Sequence, residues 1–251
     1  MIYDKILSRY KSGAKQLAFL IDPDKFQVRR MSELKVLLDD VRPDLLLIGG
    51  SLISLDVGDF VRELKQYVDL PVVLYPGSSI QVCKEVDAIL FLSLISGRNP
   101  EFLISHHVAA APHIKANGIE AISTGYMLID GGSNTSVQYI SQTQPIPDDK
   151  SDIAVATALA GQYLGMKMIY MDAGSGAKNP IVPKMIGEVK SAIDIPLMVG
   201  GGIRDIDTLQ GSLIAGADIA IVGNVLEQNP SLLKDFCKLV SDINKQELLS
   251  E

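Results

Sequence analysis

Two glycine-rich segments in the C-terminal part of the sequence have the composition of phosphate-binding turns. One spans 200–205 (Gly-Gly-Gly-Ile-Arg-Asp), and the other is Gly223-Asn224. Each follows a short apolar run with the character of a β-strand. Glycine lets backbone N–H groups approach phosphate oxygens, and aligned amide dipoles favour negative charge. A tight turn without a ligand can have the same composition, but two such turns after successive strands favour a phosphate site.

A third glycine-rich segment, 170–178 (Tyr-Met-Asp-Ala-Gly-Ser-Gly-Ala-Lys), follows the preceding apolar run. Its glycines and Ser175 could extend the phosphate site or hold a glycerol backbone. Asp172 would lie at the end of the strand, where a carboxylate can act as a general base towards a substrate hydroxyl. The same residue could instead cap a helix or stabilise the loop. The sequence leaves both roles open.

Acidic and hydroxyl residues follow the first two apolar runs. Asp22-Pro23-Asp24-Lys25 comes after the first run, and Ser51 comes after the second. Asp22 could hold Mg²⁺, which proteins bind through one or two carboxylates together with substrate phosphates and water. The Ser51 hydroxyl could complete the coordination. Asp-Pro-Asp is also a common turn sequence, and taken alone it favours a turn over a metal site.

Other polar residues give weaker indications of chemistry. His106, His107 and His113 fall on one helical stretch without an Asp or Cys partner in metal-ligand spacing, so we expect a solvated helix face. Arg98 follows the fourth apolar run and could meet an anionic group. Tyr126 lies inside the fifth run, where it could line a pocket or fill the core.

Short apolar runs alternate with amphipathic segments along the whole chain, which predicts an α/β fold with a parallel sheet. The predicted strands are Leu17–Ile21, Leu45–Ile48, Val72–Tyr75, Ala88–Leu94, Ala121–Ile129, Met166–Met171, Leu197–Val199 and Ile219–Val222. The predicted helices are Met31–Val41, Asp59–Tyr67, Pro100–Ala116, Ile153–Tyr163, Val182–Ile193, Asp205–Ala215 and Leu232–Lys245. About eight such units in 251 residues predict a single (β/α)₈ TIM-barrel domain over residues 1–251. Such barrels bind phosphate in the loops after strands seven and eight, where the first two turns fall.

Two segments depart from the regular alternation. Between Gly77 and Val86 there are too few residues for a full helix, so we predict a truncated or missing third helix. The resulting gap could admit a long apolar ligand. Residues 131–150 form a connection much longer than the usual ~2–6 residues. They could form a lid, a subunit contact or a plain surface excursion.

The composition narrows the classes of partner and compartment. The net charge of −7 argues against a large nucleic-acid interface, which needs a clustered basic face. Cys83 and Cys237 show neither metal nor redox spacing, so we predict two buried or neutral thiols in a reducing compartment. No signal peptide and no apolar run near ~18 residues is evident, so we expect a cytoplasmic protein without a transmembrane segment.

The motifs taken together resemble those of the geranylgeranylglyceryl phosphate synthase family and the related heptaprenylglyceryl phosphate synthases. The resemblance covers essentially the whole chain, and the order of the motifs makes it specific. The matching segments are 21–25 (Ile-Asp-Pro-Asp-Lys), 48–51 (Ile-Gly-Gly-Ser), 75–77 (Tyr-Pro-Gly), 93–100 (Ser-Leu-Ile-Ser-Gly-Arg-Asn-Pro), 170–176 (Tyr-Met-Asp-Ala-Gly-Ser-Gly), 200–203 (Gly-Gly-Gly-Ile) and 222–224 (Val-Gly-Asn).

The resemblance implies an Mg²⁺-dependent transferase that joins sn-glycerol 1-phosphate to a polyprenyl diphosphate in the synthesis of archaeal-type ether lipids. It implies that Asp22 and Ser51 bind Mg²⁺ and that Asp172 is the catalytic base. It implies a glycerol phosphate site made of Tyr170, Met171, Asp172, Ala173, Gly174, Ser175, Gly176, Gly201, Gly202, Gly223 and Asn224. It also implies a missing third helix and a homo-oligomer, either a dimer or a hexamer.

The chain departs from the family pattern at two places. Family members often carry Glu where this chain has Asp172, and an Asn-Ser pair is common where this chain has 95–98 (Ile-Ser-Gly-Arg). Because Asp is shorter than Glu by one methylene, a base at this position requires a closer substrate or an intervening water.

Two other functions stay open from the sequence. A sugar-phosphate isomerase or lyase could use a similar phosphate-binding barrel, with Asp22 and Asp172 as an acid/base pair. A non-catalytic phosphate-binding barrel is the second alternative. Within the transferase interpretation, the donor could be geranylgeranyl diphosphate or a longer prenyl diphosphate, because the sequence does not fix the chain length.

Overall fold

The eight predicted strands are present and close into a barrel. The computed structural model describes residues 1–26 and 31–248. Within these residues the strands follow each other around the barrel in chain order. They are β1 (Gln16–Ile21), β2 (Leu45–Gly50), β3 (Val72–Pro76), β4 (Ala88–Leu94), β5 (Glu120–Leu128), β6 (Met168–Asp172), β7 (Leu197–Gly200) and β8 (Ile219–Val222). The prediction of a TIM barrel is confirmed.

The strands pair in parallel because each is an apolar run that can be covered on both faces. Every residue of β6, β7 and β8 is buried, and so are the first five residues of β2. Continuous burial of this kind is typical of parallel strands that lie beneath helices. The register places Ile21 beside Ile48, and further along the sheet it places Asp172 beside Gly200. Residues that end neighbouring strands are therefore brought to the same level.

The helices lie before, between and after the strands, and seven of them fall close to the predicted ranges. In chain order they are α1 (Ile2–Lys11), α2 (Met31–Asp40), α3 (Val57–Leu64), α4 (His106–Ala116), α5 (Ser136–Ser141), α6 (Ser151–Tyr163), α7 (Pro183–Ala192), α8 (Ile206–Ile214), α9 (Asn224–Gln228) and α10 (Leu232–Leu248). A π-helical turn, Glu101–Ser105, precedes α4. It forms the first part of the single helix that we predicted over Pro100–Ala116.

The third helix of the barrel, which would follow β3, is missing, as predicted. Only a short 3₁₀ turn, Ser79–Gln81, lies between β3 and β4. The buried side chain of Gln81 holds this connection in place, because its Oε1 accepts from the Gly77 N–H at 2.8 Å and its Nε2 donates to the Gly50 carbonyl at 3.4 Å. A Cβ at position 77 would lie 2.4 Å from that same carbonyl oxygen. The connection therefore lies directly against the end of β2.

Three helices were not predicted: α1, α5 and α9. The first of them depends on a residue that is distant in sequence, because the Glu120 carboxylate accepts from the N–H groups of Ile2 at 2.5 Å and Tyr3 at 3.0 Å. A carboxylate at a helix N-terminus satisfies N–H groups that have no partner within the helix. Local sequence patterns do not reveal a cap that comes from another element.

The chain groups into two compact units. The first comprises residues 1–90, 109–121 and 222–251, and the second comprises 91–108 and 122–221. The first unit contains β1, β2 and β3, and the second contains β5, β6 and β7. The assignment of residues 1–251 to one domain stays a prediction.

Candidate active site

The Asp172 carboxylate is the centre of a buried polar cluster in the second unit. Asp172 is the last residue of β6 and is 5% exposed. Its Oδ2 accepts a hydrogen bond from the Tyr126 hydroxyl at 2.7 Å, and its Oδ1 accepts from the Gly174 N–H at 2.8 Å. The second of these bonds stabilises the loop. The first joins the carboxylate to Tyr126, for which the sequence leaves pocket lining and core filling open.

Strand alternation explains why these groups meet. Tyr170 and Asp172 are two residues apart on β6, so their side chains point to the same face. The register places Tyr126 of β5 directly beside Tyr170. The two rings lie 5.3 Å apart between centroids, at an angle of 52°. The hydroxyl of Tyr126 thereby reaches the carboxylate of Asp172, two residues beyond Tyr170 on β6.

The glycine triplet after β7 lies against the loop that follows β6. Gly201 adopts φ +81°, and a Cβ there would lie 2.8 Å from Asp172 Oδ1 and 2.7 Å from the Ala173 nitrogen. A Cβ at Gly202 would lie 2.8 Å from the Asn179 carbonyl oxygen. The backbone approaches the carboxylate and the loop so closely that a side chain does not fit. The segments 170–176 and 200–202, which we predicted to bind one ligand, are thus in contact.

Arg204 completes this arrangement from the end of the glycine segment. Its Nη2 donates to the Ala177 carbonyl, and its Nη1 donates to the Lys178 carbonyl at 3.4 Å. The guanidinium therefore holds the loop after β6 in position.

The long segment 131–150 also supports the loop after β6. The Gly131 carbonyl accepts from the N–H groups of Lys178 at 2.9 Å and Asn179 at 3.0 Å. Thr135 caps α5 by accepting from the Gln138 N–H, and a Cβ at Gly174 would lie 2.6 Å from the Thr135 methyl group. The sequence contains a signal for this helix that we had missed, since Thr135 and Gln138 have the Thr-x-x-Gln spacing of a capping box.

Asp22 and Ser51 belong to a second polar group, which lies in the first unit. Asp22 follows β1 directly, and its Oδ2 lies 2.7 Å from the Lys25 ammonium. Its Oδ1 accepts from the Asp24 N–H at 3.1 Å, which is the predicted turn. A Cβ at Gly50 would lie 3.4 Å from Asp22 Oδ2. The Asp22 carboxylate therefore lies beside Gly50, the last residue of β2. The half-buried Ser51 is the next residue in the chain.

Asp24 has a structural role in the same loop. Its Oδ2 accepts from the Ser54 N–H and hydroxyl, each at 2.8 Å, and its Oδ1 accepts from the Leu55 N–H at 3.0 Å. Desolvation by itself would raise the pKa of Asp24, but these hydrogen bonds outweigh it and lower the pKa below its ordinary value. Asp24 thus fixes the loop after β1 to the loop after β2 and leaves Asp22 as the candidate metal ligand.

The chemistry of Asp22 and Ser51 fits a magnesium ion. Among residues 1–26 and 31–248 no group of three His, Cys, Asp or Glu side chains is arranged to hold a metal. Mg²⁺ does not need one, because it often takes one or two carboxylates and completes its shell with water and substrate phosphates. Both candidate ligands are oxygens, the type that Mg²⁺ prefers, and the Lys25 ammonium, 2.7 Å from Asp22 Oδ2, would have to move aside for an ion bound at that oxygen.

Gly223 and Asn224 lie in the first unit, at the start of α9. Gly223 precedes the helix, and Asn224 is its first residue. A Cβ at Gly223 would lie 3.3 Å from the Leu20 carbonyl oxygen. The segment therefore follows β8 as a close turn against β1, and a short helix begins there, as in barrels that bind phosphate at this place.

The expectation of a solvated histidine face is wrong for His107. This residue is buried, its ring lies 4.6 Å from the Phe91 ring, and its Nε2 lies 2.9 Å from the Ser93 hydroxyl. Burial lowers the pKa of His107. The prediction failed because the helix packs this residue onto two side chains of β4, whereas His113 is exposed as expected.

Arg98 is exposed, and its Nη1 donates to the Gly97 carbonyl at 2.7 Å. No contact in the described structure assigns it to an anionic group. The two cysteines are free and half-buried. Burial raises the pKa of Cys83 and, together with Asp44, raises the pKa of Cys237 to about 12, so both thiols are neutral near pH 7.

Comparison with known proteins identifies the family. A model described as the PcrB family matches residues 11–240. The chain belongs to the PcrB family. This PcrB-family chain is 49% identical over 240 residues to a geranylgeranylglyceryl phosphate synthase of Chitinophaga pinensis, and the match covers 95% of each protein. It is 45% identical over 243 residues to a synthase of the same name from Spirosoma linguale, and this match covers 96% of the PcrB-family chain and 97% of the relative.

A solved structure shows the same fold with a substrate present. It is the (S)-3-O-geranylgeranylglyceryl phosphate synthase of Thermoplasma acidophilum in complex with sn-glycerol 1-phosphate. The two chains share 29% identity and a TM-score of 0.89, with 98% of the PcrB-family chain and 99% of the other covered. Within the described residues, no helix of the PcrB-family chain has the length and apolar character to cross a membrane.

Proposed function

We propose that this PcrB-family protein is a geranylgeranylglyceryl phosphate synthase. It would join sn-glycerol 1-phosphate to geranylgeranyl diphosphate through an ether bond and release diphosphate. The observation that carries this proposal is the match over nearly the whole chain to a synthase structure in complex with sn-glycerol 1-phosphate. The relatives of 45–49% identity bear the same name.

We assign the glycerol phosphate to the glycine-rich strand ends. The contact between the loop after β6 and the triplet after β7 supports this assignment, since Gly201 leaves no room for a side chain beside Asp172. Backbone amides at such turns bind phosphate, and they would hold the substrate so that one hydroxyl faces the carboxylate. On the resemblance of the motifs, the proposed site residues are Tyr170, Met171, Asp172, Ala173, Gly174, Ser175, Gly176, Gly201, Gly202, Gly223 and Asn224.

We assign the Mg²⁺ ion and the prenyl diphosphate to Asp22 and Ser51. When bound, the ion would neutralise charge on the diphosphate and make it a better leaving group. Lys25, which lies on the Asp22 carboxylate, adds positive charge beside the same site. The Asp22 carboxylate would hold the ion, and the Ser51 hydroxyl would add an oxygen ligand.

Asp172 is the proposed base of the reaction. As the ether oxygen bonds to C1 of the prenyl chain, the glycerol hydroxyl loses its proton and the bond from C1 to the diphosphate oxygen breaks. The leaving diphosphate takes the electron pair of that bond, and the carboxylate of Asp172 gains the proton. Burial of the carboxylate excludes bulk water as a competing acceptor.

The test is an assay of the purified chain with sn-glycerol 1-phosphate and a series of prenyl diphosphates, with Mg²⁺ and with EDTA. We expect an ether product that requires Mg²⁺ and is formed best from the twenty-carbon donor. Best turnover with a heptaprenyl donor would assign the longer-chain activity. No ether product from any donor would contradict the proposal and return attention to an isomerase, a lyase or a non-catalytic barrel.

The role of Asp172 has its own test. Asp172→Asn should lower kcat on the order of 10²–10⁴-fold, the usual contribution of a general base. Affinity for sn-glycerol 1-phosphate should change little. Full turnover by this variant would exclude Asp172 as the base.

Oligomeric state and location complete the proposal. We propose a cytoplasmic homo-oligomer, either a dimer or a hexamer, on the resemblance of the motifs. Light scattering of the purified chain measures its mass, and a monomeric mass would contradict the proposed assembly.

A further inference from the structure

Both oxygens of the Asp172 carboxylate are already hydrogen-bonded by the protein. The Gly174 N–H lies 2.8 Å from Oδ1, and the Tyr126 hydroxyl lies 2.7 Å from Oδ2. A Cβ at position 201 would lie 2.8 Å from Oδ1, so the backbone of Gly201 closes off this oxygen as well. The carboxylate is only 5% exposed. Backbone groups therefore surround Oδ1, whereas the neighbour of Oδ2 is the Tyr126 hydroxyl, a side chain that can itself carry a proton.

The Tyr126 hydroxyl can both accept and donate a proton. A phenol oxygen that donates its hydrogen to a carboxylate keeps lone pairs with which it can accept another hydrogen bond. A carboxylate at the far end of such a bond makes the phenol oxygen a better acceptor, because successive hydrogen bonds polarise each other. Contact with Tyr170 and burial to 4% exposure hold the ring in this position.

We propose that Tyr126 relays the proton from the glycerol hydroxyl to Asp172 and is thus a further catalytic residue. The inference rests on the proposed function. As the ether oxygen bonds to C1 and diphosphate leaves with the electron pair of the broken bond, the glycerol proton moves to the Tyr126 oxygen. The Tyr126 proton moves at the same time to Asp172 Oδ2. Tyr126 ends the step as a phenol and Asp172 ends it as a neutral carboxylic acid.

The first test is Tyr126→Phe, which removes the relay oxygen and keeps the ring. We expect single-turnover rates to fall on the order of 10²–10⁴-fold, with KM for sn-glycerol 1-phosphate within a few-fold of the wild type. Tyr163→Phe is the matched control, since Tyr163 ends α6 and is 80% exposed. Wild-type turnover in the same assay tests the proposed function separately. If the wild type is active and Tyr126→Phe keeps its rate, the relay is wrong.

The second test asks whether Tyr126 serves to extend the reach of a short side chain. In Asp172→Glu the carboxylate extends one methylene further, so it can meet the substrate directly. Adding Tyr126→Phe to this variant should then lower the rate by much less than it does beside Asp172. An equal loss in both backgrounds would show that Tyr126 only orients the carboxylate or the substrate, and would overturn the relay.

A third measurement needs no substitution and so does not depend on the variants folding. Two protons move together in a relay, whereas one moves when Asp172 acts directly. Single-turnover rates of the wild type in mixtures of H₂O and D₂O should therefore follow a curved proton inventory. A linear dependence with a normal isotope effect would contradict the relay.

Discussion

His107 carries a buried imidazole whose protonation should weaken the fold. Burial lowers its pKa in the folded protein below the ordinary value of 6.5, so the folded state favours the neutral ring. The contribution to stability is then fully present above about pH 6.5 and is lost as the pH falls through this value and below it. We expect the urea concentration at the unfolding midpoint of the wild type to be lower at pH 5.5 than at pH 7.5.

His107→Gln should flatten this dependence, because glutamine does not titrate. His113→Gln provides the control, since His113 lies on the same helix but is exposed. Urea titrations at both pH values measure the effect. If His107→Gln retained the full drop, the acid sensitivity would have to arise from other groups.

Gly201 lies so close to Asp172 that its replacement should affect stability and activity together. Alanine at this position would adopt φ +81° and place its Cβ 2.8 Å from Asp172 Oδ1. We expect Gly201→Ala to cost about 1–3 kcal/mol in unfolding free energy. Displacement of the carboxylate should lower kcat on the order of 100-fold.

Gly211→Ala is the matched control for this substitution. Gly211 lies inside α8, and a Cβ there would meet no atom within 4 Å. Alanine should therefore stabilise the helix by about 0.5–1 kcal/mol and leave turnover unchanged. Equal effects of the two substitutions on kcat would contradict the special role of position 201.

Asp205, the last residue of the glycine-rich segment 200–205, is the N-cap of α8. Its Oδ1 accepts from the Thr208 N–H at 2.8 Å, and this bond lowers the pKa of Asp205. Asp205→Ala should cost about 1 kcal/mol of unfolding free energy near pH 7. The lowered pKa means that this stabilisation is lost as the pH falls below about 3.8.

Chemical denaturation at pH 7 measures the effect of Asp205→Ala, and Asp207→Ala in the first turn of the same helix is the control. Asp207 is exposed and does not supply the side-chain cap. A loss with Asp207→Ala as large as with Asp205→Ala would assign the effect to helix charge and not to the cap.

The strands could be predicted from the sequence because apolar runs mark them directly. Ala88–Leu94 and Ile219–Val222 match the structure at both ends, and the other strands differ by at most two residues at either end. The helices α1, α5 and α9 were missed since they are short or are stabilised from elsewhere, as Glu120 stabilises α1. The spacing of apolar residues and the Gly and Pro residues between them predict an element, but they do not reveal which distant residue caps it.

Within the candidate site, the sequence pointed to the glycine turns and Asp172 but not to the hydrogen bond between Tyr126 and Asp172. A tyrosine inside a strand is as compatible with core filling as with a polar role, and only the pairing of β5 with β6 brings its hydroxyl to the carboxylate. Similarly, nothing in the spacing of His107 indicated that β4 would bury it. The hydrogen bond of Tyr126 and the burial of His107 both depend on contacts between elements that are separate in sequence.

Binding of sn-glycerol 1-phosphate should raise the thermal stability of the whole protein. A ligand that binds only the folded state adds about 2.7 kcal/mol when its concentration is 100 times Kd. For a chain of this size, that corresponds to an increase in Tm of roughly 5–10 °C. Differential scanning calorimetry measures the shift, and Gly201→Ala should reduce it. A wild-type Tm that does not respond to the ligand would argue against the proposed phosphate site.

The missing third helix has a kinetic consequence. Only residues 77–87 connect β3 to β4, the shortest connection between neighbouring strands of the barrel. The entropy lost in closing a loop grows with its length, by about 0.6 kcal/mol for each doubling, so Val73 and Leu74 should find Ala88 and Ile89 before longer loops close. Refolding rates of Ile89→Val should then give a high φ-value, and folding of the barrel would nucleate at a connection that contains no α-helix.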